Sequence, residues 1–155
     1  DATGKSGLSK LGWDFVGNIL HRAADICLVL NSSVNAYRRL DPTYEAPNHI
    51  KVSANDRSSM IRIPFANEKT ARIEIRSVAP DANPYLVAFT LLKTGLSGTP
   101  PSADTTKRPR VRMLPDTIHD AIRLYKTSEY ISQLFGEVTK QKYLLPKQAA
   151  ANRSA

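Results

Sequence analysis

The chain has few cysteines, few aromatic residues and no long apolar run. Its 155 residues include a single cysteine, Cys27, which excludes an internal disulfide framework. No uninterrupted apolar stretch approaches the roughly 20 residues of a membrane span, and nothing at the start resembles a signal peptide. With 41% hydrophobic and 23% charged residues, the composition predicts a globular chain of one domain's length.

Acidic residues are scarce relative to basic ones. The 14 Asp and Glu against 22 Lys and Arg give a formal net charge of +8, and such an excess suggests a nucleic acid as a partner. Aromatic residues make up only 7% of the chain, however, and no zinc-finger, ribonucleoprotein or helix-turn-helix pattern occurs. A basic nucleic-acid-binding module therefore stays as the alternative from a different class of function. Gly4-Lys5-Ser6 lacks the earlier glycine and the strand that a P-loop requires.

Two stretches have the features of α-helices. Ser9 is a good N-cap for residues 9–30, where apolar side chains recur at three- and four-residue steps and form a core face. Cys27 lies in this face and is predicted to be a small buried apolar residue, not a nucleophile. Asn83 and Pro84 predict the start of a second helix over residues 84–94. That helix is apolar on most sides, so we expect it to be buried.

The remaining segments give weaker signals. Residues 31–48 lack periodicity and are predicted to be a structured loop. Residues 99–112 are rich in Pro, Ser and Thr and then basic, which predicts a mobile surface loop carrying Lys107, Arg108, Arg110 and Arg112. Residues 115–143 predict two or three short helices, and residues 146–155 a frayed tail.

Three short stretches predict a small antiparallel sheet. In residues 71–77, apolar Ala71, Ile73 and Ile75 alternate with charged residues, which is the period of a half-buried strand. Residues 48–54 and 57–64 alternate in the same way. The charged front of this sheet would carry Lys51, Arg62, Arg72, Glu74 and Arg76. The predicted fold is therefore α+β, with a long N-terminal helix, a small antiparallel sheet and a C-terminal helical cluster.

This charged front allows two interpretations. It is either a solvated face, with cross-strand Arg–Glu pairs of about 0.2–1 kcal/mol each, or a site for a multiply charged anion. Arginine favours the second, because its planar guanidinium binds carboxylate and phosphate through two hydrogen bonds. Glu74 amid several guanidinium groups would then suit a divalent metal on a polyphosphate. Periodicity alone does not choose between them.

Four sequence strings in a fixed order carry a family resemblance: NAYRRLDPTYEAP, NDRSSMIRIP, ARIEIRS and PDANPYL. At these separations they resemble the C-terminal half of a glutamine synthetase catalytic domain, well over residues 7–95 and loosely beyond. The resemblance implies that residues 1–155 are a single fragment of that domain, inactive alone. It also implies a cytoplasmic enzyme that assembles into a ring-shaped homo-oligomer, a dodecamer, with active sites between adjacent subunits.

The resemblance also implies a reaction and the residues that serve it. The family uses ATP, with Mg²⁺ or Mn²⁺, to ligate ammonia to glutamate through γ-glutamyl phosphate. By resemblance, glutamate is bound by Arg39 and Arg76, and the nucleotide by Arg57, Arg62, Lys69 and Arg72. Glu74 is implied as a metal ligand. Glu45 and Arg57 are implied as catalytic: Glu45 as the flap carboxylate that helps deprotonate ammonium, and Arg57 as the arginine nearest the transferred group.

Several positions depart from the family pattern. Thr43 stands where many members have glycine, and Asp56 stands where asparagine is usual before Arg57. These differences keep open a ligase of the same family that uses a polyamine or another amine as acceptor. No tyrosine occurs between Tyr85 and Tyr125, so regulation by adenylylation of a tyrosine in this region is not expected.

Overall fold

The long N-terminal helix forms where the sequence predicts it. The computed structural model describes residues 1–102, 106–107 and 110–154. Helix α1 spans Lys10–Leu30, and the side chain of Ser9 accepts a hydrogen bond from the backbone N–H of Gly12 at 3.2 Å. Its core face is buried, including Ile19, Ile26 and the thiol of Cys27. Across the described residues, no helix is long and apolar enough to span a membrane.

The sheet is mixed, so the prediction of an entirely antiparallel sheet is wrong. Strands β1 (His49–Ser53), β2 (Ser59–Arg62) and β3 (Glu74–Ile75) lie in the order β1-β2-β3. β2 and β3 are antiparallel as predicted, but β1 runs parallel to β2. Alternation of apolar and polar residues reports which side chains share a face and carries no information on strand direction.

The segment predicted as a loop contains a short helix, α2 (Val34–Arg39). The Ser33 side chain caps it by accepting a hydrogen bond from the Ala36 N–H at 3.2 Å. Helix α3 (Pro84–Gly95) begins as predicted, because the Asn83 side chain accepts hydrogen bonds from the next backbone N–H groups. The expectation that α3 is buried is wrong. Leu92 is 54% exposed, and the buried residues of the helix are Thr90, Thr94 and Gly95.

Three helices follow, α4 (Ile118–Thr127), α5 (Glu129–Phe135) and α6 (Glu137–Arg153). The predicted break at Gly136 is present, with φ at +76°. The predicted frayed tail is wrong, because α6 continues past Pro146 to Arg153 and buries Ala151. Residues 99–112 have no regular structure where described, and Arg108 lies outside the described residues. The α+β architecture predicted from the sequence is confirmed.

Candidate anion-binding site

A hollow of about 390 Å³ opens between β2, β3 and the turn that joins β1 to β2. It is lined by Asn55, Arg57, Arg62, Glu74 and Arg76. The antiparallel register of β2 and β3 sets Arg62 directly opposite Glu74. The apolar partners Ile61 and Ile75 form the next pair in that register. Sheet pairing therefore brings predicted site residues from two strands to one surface.

Glu74 is the carboxylate of this hollow and contacts two arginines. It accepts hydrogen bonds from Arg72 Nε at 2.9 Å and from Arg62 Nη1 at 3.1 Å. These bonds, that from Arg72 foremost, lower the pKa of the Glu74 carboxyl below its ordinary value. Glu74 is therefore ionised at neutral pH. Arg72 reaches the hollow only through Glu74, because its own side chain does not line it.

Two backbone carbonyls accept the other hydrogen bonds that orient arginines of the hollow. Arg62 Nε donates to the Ala54 carbonyl at 3.0 Å, and Arg76 Nη1 donates to the Arg57 carbonyl at 2.9 Å. Because these acceptors belong to the β1–β2 connection, the turn and the arginines share one hydrogen-bonded arrangement. The neutral carbonyl leaves the charge of Arg76 available to an anion, whereas Arg62 shares its charge with Glu74.

Arg39 lies at the end of α2 and points toward Arg76. Its Nη1 is 3.5 Å from the Arg76 carbonyl oxygen, a long contact. Burial, followed by the nearby positive charge of Arg76, lowers the pKa of Arg39, and Asp81 acts in the opposite direction. The adjacent Arg38 donates instead to the Asn35 side chain at 3.1 Å. Of the two neighbouring arginines, Arg39 is thus the one that approaches Arg76, but its side chain does not line the hollow.

Glu45 and Lys69 are less closely associated with the hollow. Glu45 Oε2 is 3.6 Å from Arg57 Nη1, and both side chains are more than three-quarters exposed. Such a contact is weak and easily rearranged. Lys69 lies in the turn before β3, where its backbone N–H donates to the Asn67 side chain at 3.0 Å, and its side chain does not line the hollow.

Comparison with known proteins gives this geometry a family context. A sequence model described as "Glutamine synthetase, catalytic domain" matches residues 1–154. The chain belongs to the glutamine synthetase family.

Two curated glutamine synthetases illustrate the relationship. That of Clostridium saccharobutylicum is 32% identical over an alignment 164 residues long, which covers 96% of this chain and 37% of that protein. That of Pyrococcus furiosus is 33% identical over 152 residues, covering 88% of this chain and 35% of that protein. The chain therefore spans a little over a third of the length of the glutamine synthetases it matches.

A solved structure shows the same fold. The chain described as "GmaS/ADP complex-Conformation 1" superposes with a TM-score of 0.79 at 27% identity, covering 99% of this chain and 39% of that one. The match extends over nearly all of this chain, including the loosely resembling C-terminal helices. The fold of this chain thus matches that structure through the sheet as well as through the helices.

Sequence reasoning missed Asn55. It lines the hollow of this glutamine synthetase family member, is exposed, and has no hydrogen-bond partner for its side chain among the described residues. The available signal was its position in the connection between two predicted strands, two residues before Arg57. A polar residue in a loop between site-bearing strands is a reasonable candidate for a ligand contact.

The charge balance of the hollow favours an anion. Arg57, Arg62 and Arg76 carry three positive charges, and Glu74 carries one negative charge. Arg39 adds a further cation nearby. Several fixed guanidinium groups around a small volume are suited to a ligand with more than one negative charge.

Proposed function

We propose that this chain supplies the arginine-rich part of the active site of an ATP-dependent glutamate–ammonia ligase. The observation that carries the proposal is the convergence of Arg57, Arg62, Glu74 and Arg76 on one hollow. In the proposed reaction, the side-chain carboxylate of glutamate takes the γ-phosphoryl group of ATP and releases ADP. Ammonia then displaces phosphate from the γ-glutamyl phosphate and forms the amide.

The guanidinium groups would serve the phosphoryl transfer. Arg57 and Arg62 are proposed to bind the phosphates, because this reaction is accelerated by positioning and by neutralising negative charge. Arg57 is suited to the transferred group, since its own charged contact, with Glu45, is exposed and weak. Arg72 and Lys69 would lie on the nucleotide side, Arg72 through Glu74 and Lys69 from the exposed turn. The ADP of the GmaS complex supports nucleotide use in this fold.

Arg39 and Arg76 would bind the carboxylates of glutamate. Burial and then the charge of Arg76 lower the pKa of Arg39. A carboxylate placed between the two arginines would relieve their repulsion and accept hydrogen bonds from both. Glu45 is proposed to close over the substrates and to accept a proton from ammonium. A closed site is needed, because an acyl phosphate exposed to water would hydrolyse.

Glu74 is the residue of this chain proposed to hold Mg²⁺ or Mn²⁺, for which carboxylate oxygen is a suitable ligand. When bound, the ion would neutralise phosphate oxygens. Across the described residues, no group of three or more His, Cys, Asp and Glu side chains comes together. The other ligands would therefore have to come from elsewhere in the assembled enzyme.

The activity is tested in a polypeptide of the relatives' length that contains these residues. Phosphate release from ATP that requires both glutamate and ammonium is expected, and Arg57→Ala or Glu74→Ala should remove most of it. Arg123→Ala, which removes an exposed cation on α4, is the matched control. Near-normal turnover in either site variant would refute the proposal. Putrescine in place of ammonium distinguishes the polyamine alternative.

The same preparation tests the proposed assembly. A ring-shaped homo-oligomer of twelve subunits is expected, and light scattering gives its mass. A monomeric and fully active enzyme would contradict active sites shared between subunits.

A further inference from the structure

Residues 53–58 form a turn that is bonded to itself. Ser53 Oγ accepts the Asp56 N–H at 2.9 Å. Asp56 Oδ1 accepts both the N–H of Ser58 at 2.9 Å and its hydroxyl at 2.7 Å. An aspartate that accepts the N–H two residues ahead fixes the backbone of a turn. The Asp56 carboxylate and the Ser53 hydroxyl therefore hold the conformation of this segment together.

The second oxygen of Asp56 ties the turn to β1. Asp56 Oδ2 accepts a hydrogen bond from Lys51 Nζ at 2.5 Å. Both side chains are partly exposed, and an exposed ion pair of this kind adds little to global stability. Its effect is geometric, because it joins the turn to a residue of the sheet. Hydrogen bonds from Lys51 and then Ser58 lower the pKa of Asp56, which keeps both oxygens available as acceptors.

Two backbone carbonyls of this turn accept hydrogen bonds from arginines of the hollow. The Ala54 carbonyl, on one side of Asp56, accepts from Arg62 Nε, and the Arg57 carbonyl, on the other side, accepts from Arg76 Nη1. A change in the turn would move both acceptors. The directions of the two guanidinium groups consequently depend on a carboxylate that does not line the hollow itself.

We propose that Asp56 is a positioning residue of the anion site. Tied to Lys51 and Ser58, its carboxylate holds the Ala54 and Arg57 carbonyls where they direct Arg62 and Arg76 into the hollow before a ligand binds. Side chains that are ordered in advance lose less conformational entropy on binding. The positioning role rests on the proposed function only for the identity of the ligand, a polyphosphate.

The test compares Asp56→Asn with Asp56→Ala in the 155-residue chain. Asparagine keeps the oxygen that Ser58 binds and loses the ion pair, whereas alanine loses both. Asp14→Ala, which removes another surface Lys–Asp pair, is the control. The first readout needs no ligand: hydrogen exchange of Arg62 Nε–H, measured by NMR. We expect Asp56→Ala to speed this exchange about tenfold and Asp56→Asn, which keeps the Ser58 bonds but loses the tie to Lys51, to speed it about twofold. Asp14→Ala should leave it unchanged.

The second readout is calorimetric binding of tripolyphosphate. Asp56→Ala should weaken it about tenfold, with most of the loss recovered in Asp56→Asn. Unchanged Arg62 exchange in Asp56→Ala would overturn the positioning role. If Asp56→Ala does not fold, Lys51→Met is measured instead: faster Arg62 exchange supports the role, and unchanged exchange overturns it. Asp56-dependent exchange without tripolyphosphate binding in the wild type would support the positioning role and count against the polyphosphate.

Discussion

The Glu74 carboxylate is proposed to repel a bound phosphate but to attract a metal ion that accompanies it. A single substitution that removes the charge therefore separates the two effects. Glu74→Gln keeps the shape of the side chain and an oxygen acceptor for Arg62 and Arg72 but removes the negative charge. A unit charge about 5 Å from a bound phosphate contributes about 0.8 kcal/mol at a dielectric constant of 80 and about 3 kcal/mol at 20. Because the Glu74 side chain is 32% exposed, the lower end applies, about 1 kcal/mol.

The expected results follow from this magnitude. Metal-free tripolyphosphate should bind the Glu74→Gln variant about fivefold more tightly, since a repulsive charge is gone. MgADP should bind at least about tenfold more weakly, since a metal ligand is lost. Calorimetry at constant ionic strength measures both, and Glu129→Gln on α5 is the matched control. Tighter binding of both ligands would refute a metal at Glu74, and no change in either would refute the hollow as the phosphate site.

The pH dependence supplies an internal check on the same variant. Hydrogen bonds from Arg72 and Arg62 lower the pKa of Glu74 below its ordinary value of 4.5. The wild-type carboxylate therefore stays charged at and above pH 4.5 and becomes neutral only as the pH falls through its lowered value. The difference between the wild type and Glu74→Gln in metal-free binding should persist across the neutral range and fade in acid. A difference that fades between pH 7 and 6 would point to another group.

Three further predictions concern the frame that carries the site. Burial raises the pKa of Cys27 to about 11, so the thiol of the folded chain should resist alkylation at pH 8. For the same reason the free energy of unfolding should fall as the pH rises above 9. Rapid alkylation of the folded chain would contradict this. Gly95→Ala would place a Cβ 2.2 Å from the Phe15 ring. It should destabilise the chain by about 1–3 kcal/mol despite the higher helix propensity of alanine. Thermal melting measures this loss, and the second substitution Phe15→Leu should recover part of it. Asn31→Ala removes the 2.7 Å bond from the buried amide to the Ser77 carbonyl and should reduce the free energy of unfolding by about 1–3 kcal/mol, measured by urea denaturation.

Local signals were sufficient for the elements that depend on neighbouring residues. The Ser9 and Asn83 caps marked the starts of α1 and α3, because capping is a local hydrogen bond. Helix α2 escaped prediction because six residues are too few to show periodicity. The tail departs from the prediction because Pro146 does not end α6, and Leu144 and Ala151 are buried on either side of it.

Alternation predicted the charged front that carries Arg62, Glu74 and Arg76, and the family resemblance added Arg57 and the proposed roles, but neither predicted how these side chains are arranged. Alternation in residues 71–77 predicted that Glu74 and Arg76 share a face, and it could not predict that Arg62 would lie opposite Glu74. That relation depends on register, which connects segments twelve residues apart. The bonds of Arg62 and Arg76 to turn carbonyls were equally inaccessible, since any residue offers the same carbonyl acceptor.

Helix α3 shows most clearly what an apolar pattern does and does not report. Leu92 and Leu96 are 54% and 56% exposed, and with Leu11, which is 63% exposed, they border a groove of about 600 Å³ beside Ile75 of β3. Apolar side chains predict that a surface is removed from water, without stating which atoms cover it. Helix α3 is therefore apolar but exposed in this chain, which spans a little over a third of its relatives' length. The polar hollow depends less on residues outside the chain, because two of its arginines, Arg62 and Arg76, are held by carbonyls and a carboxylate of the same 155 residues.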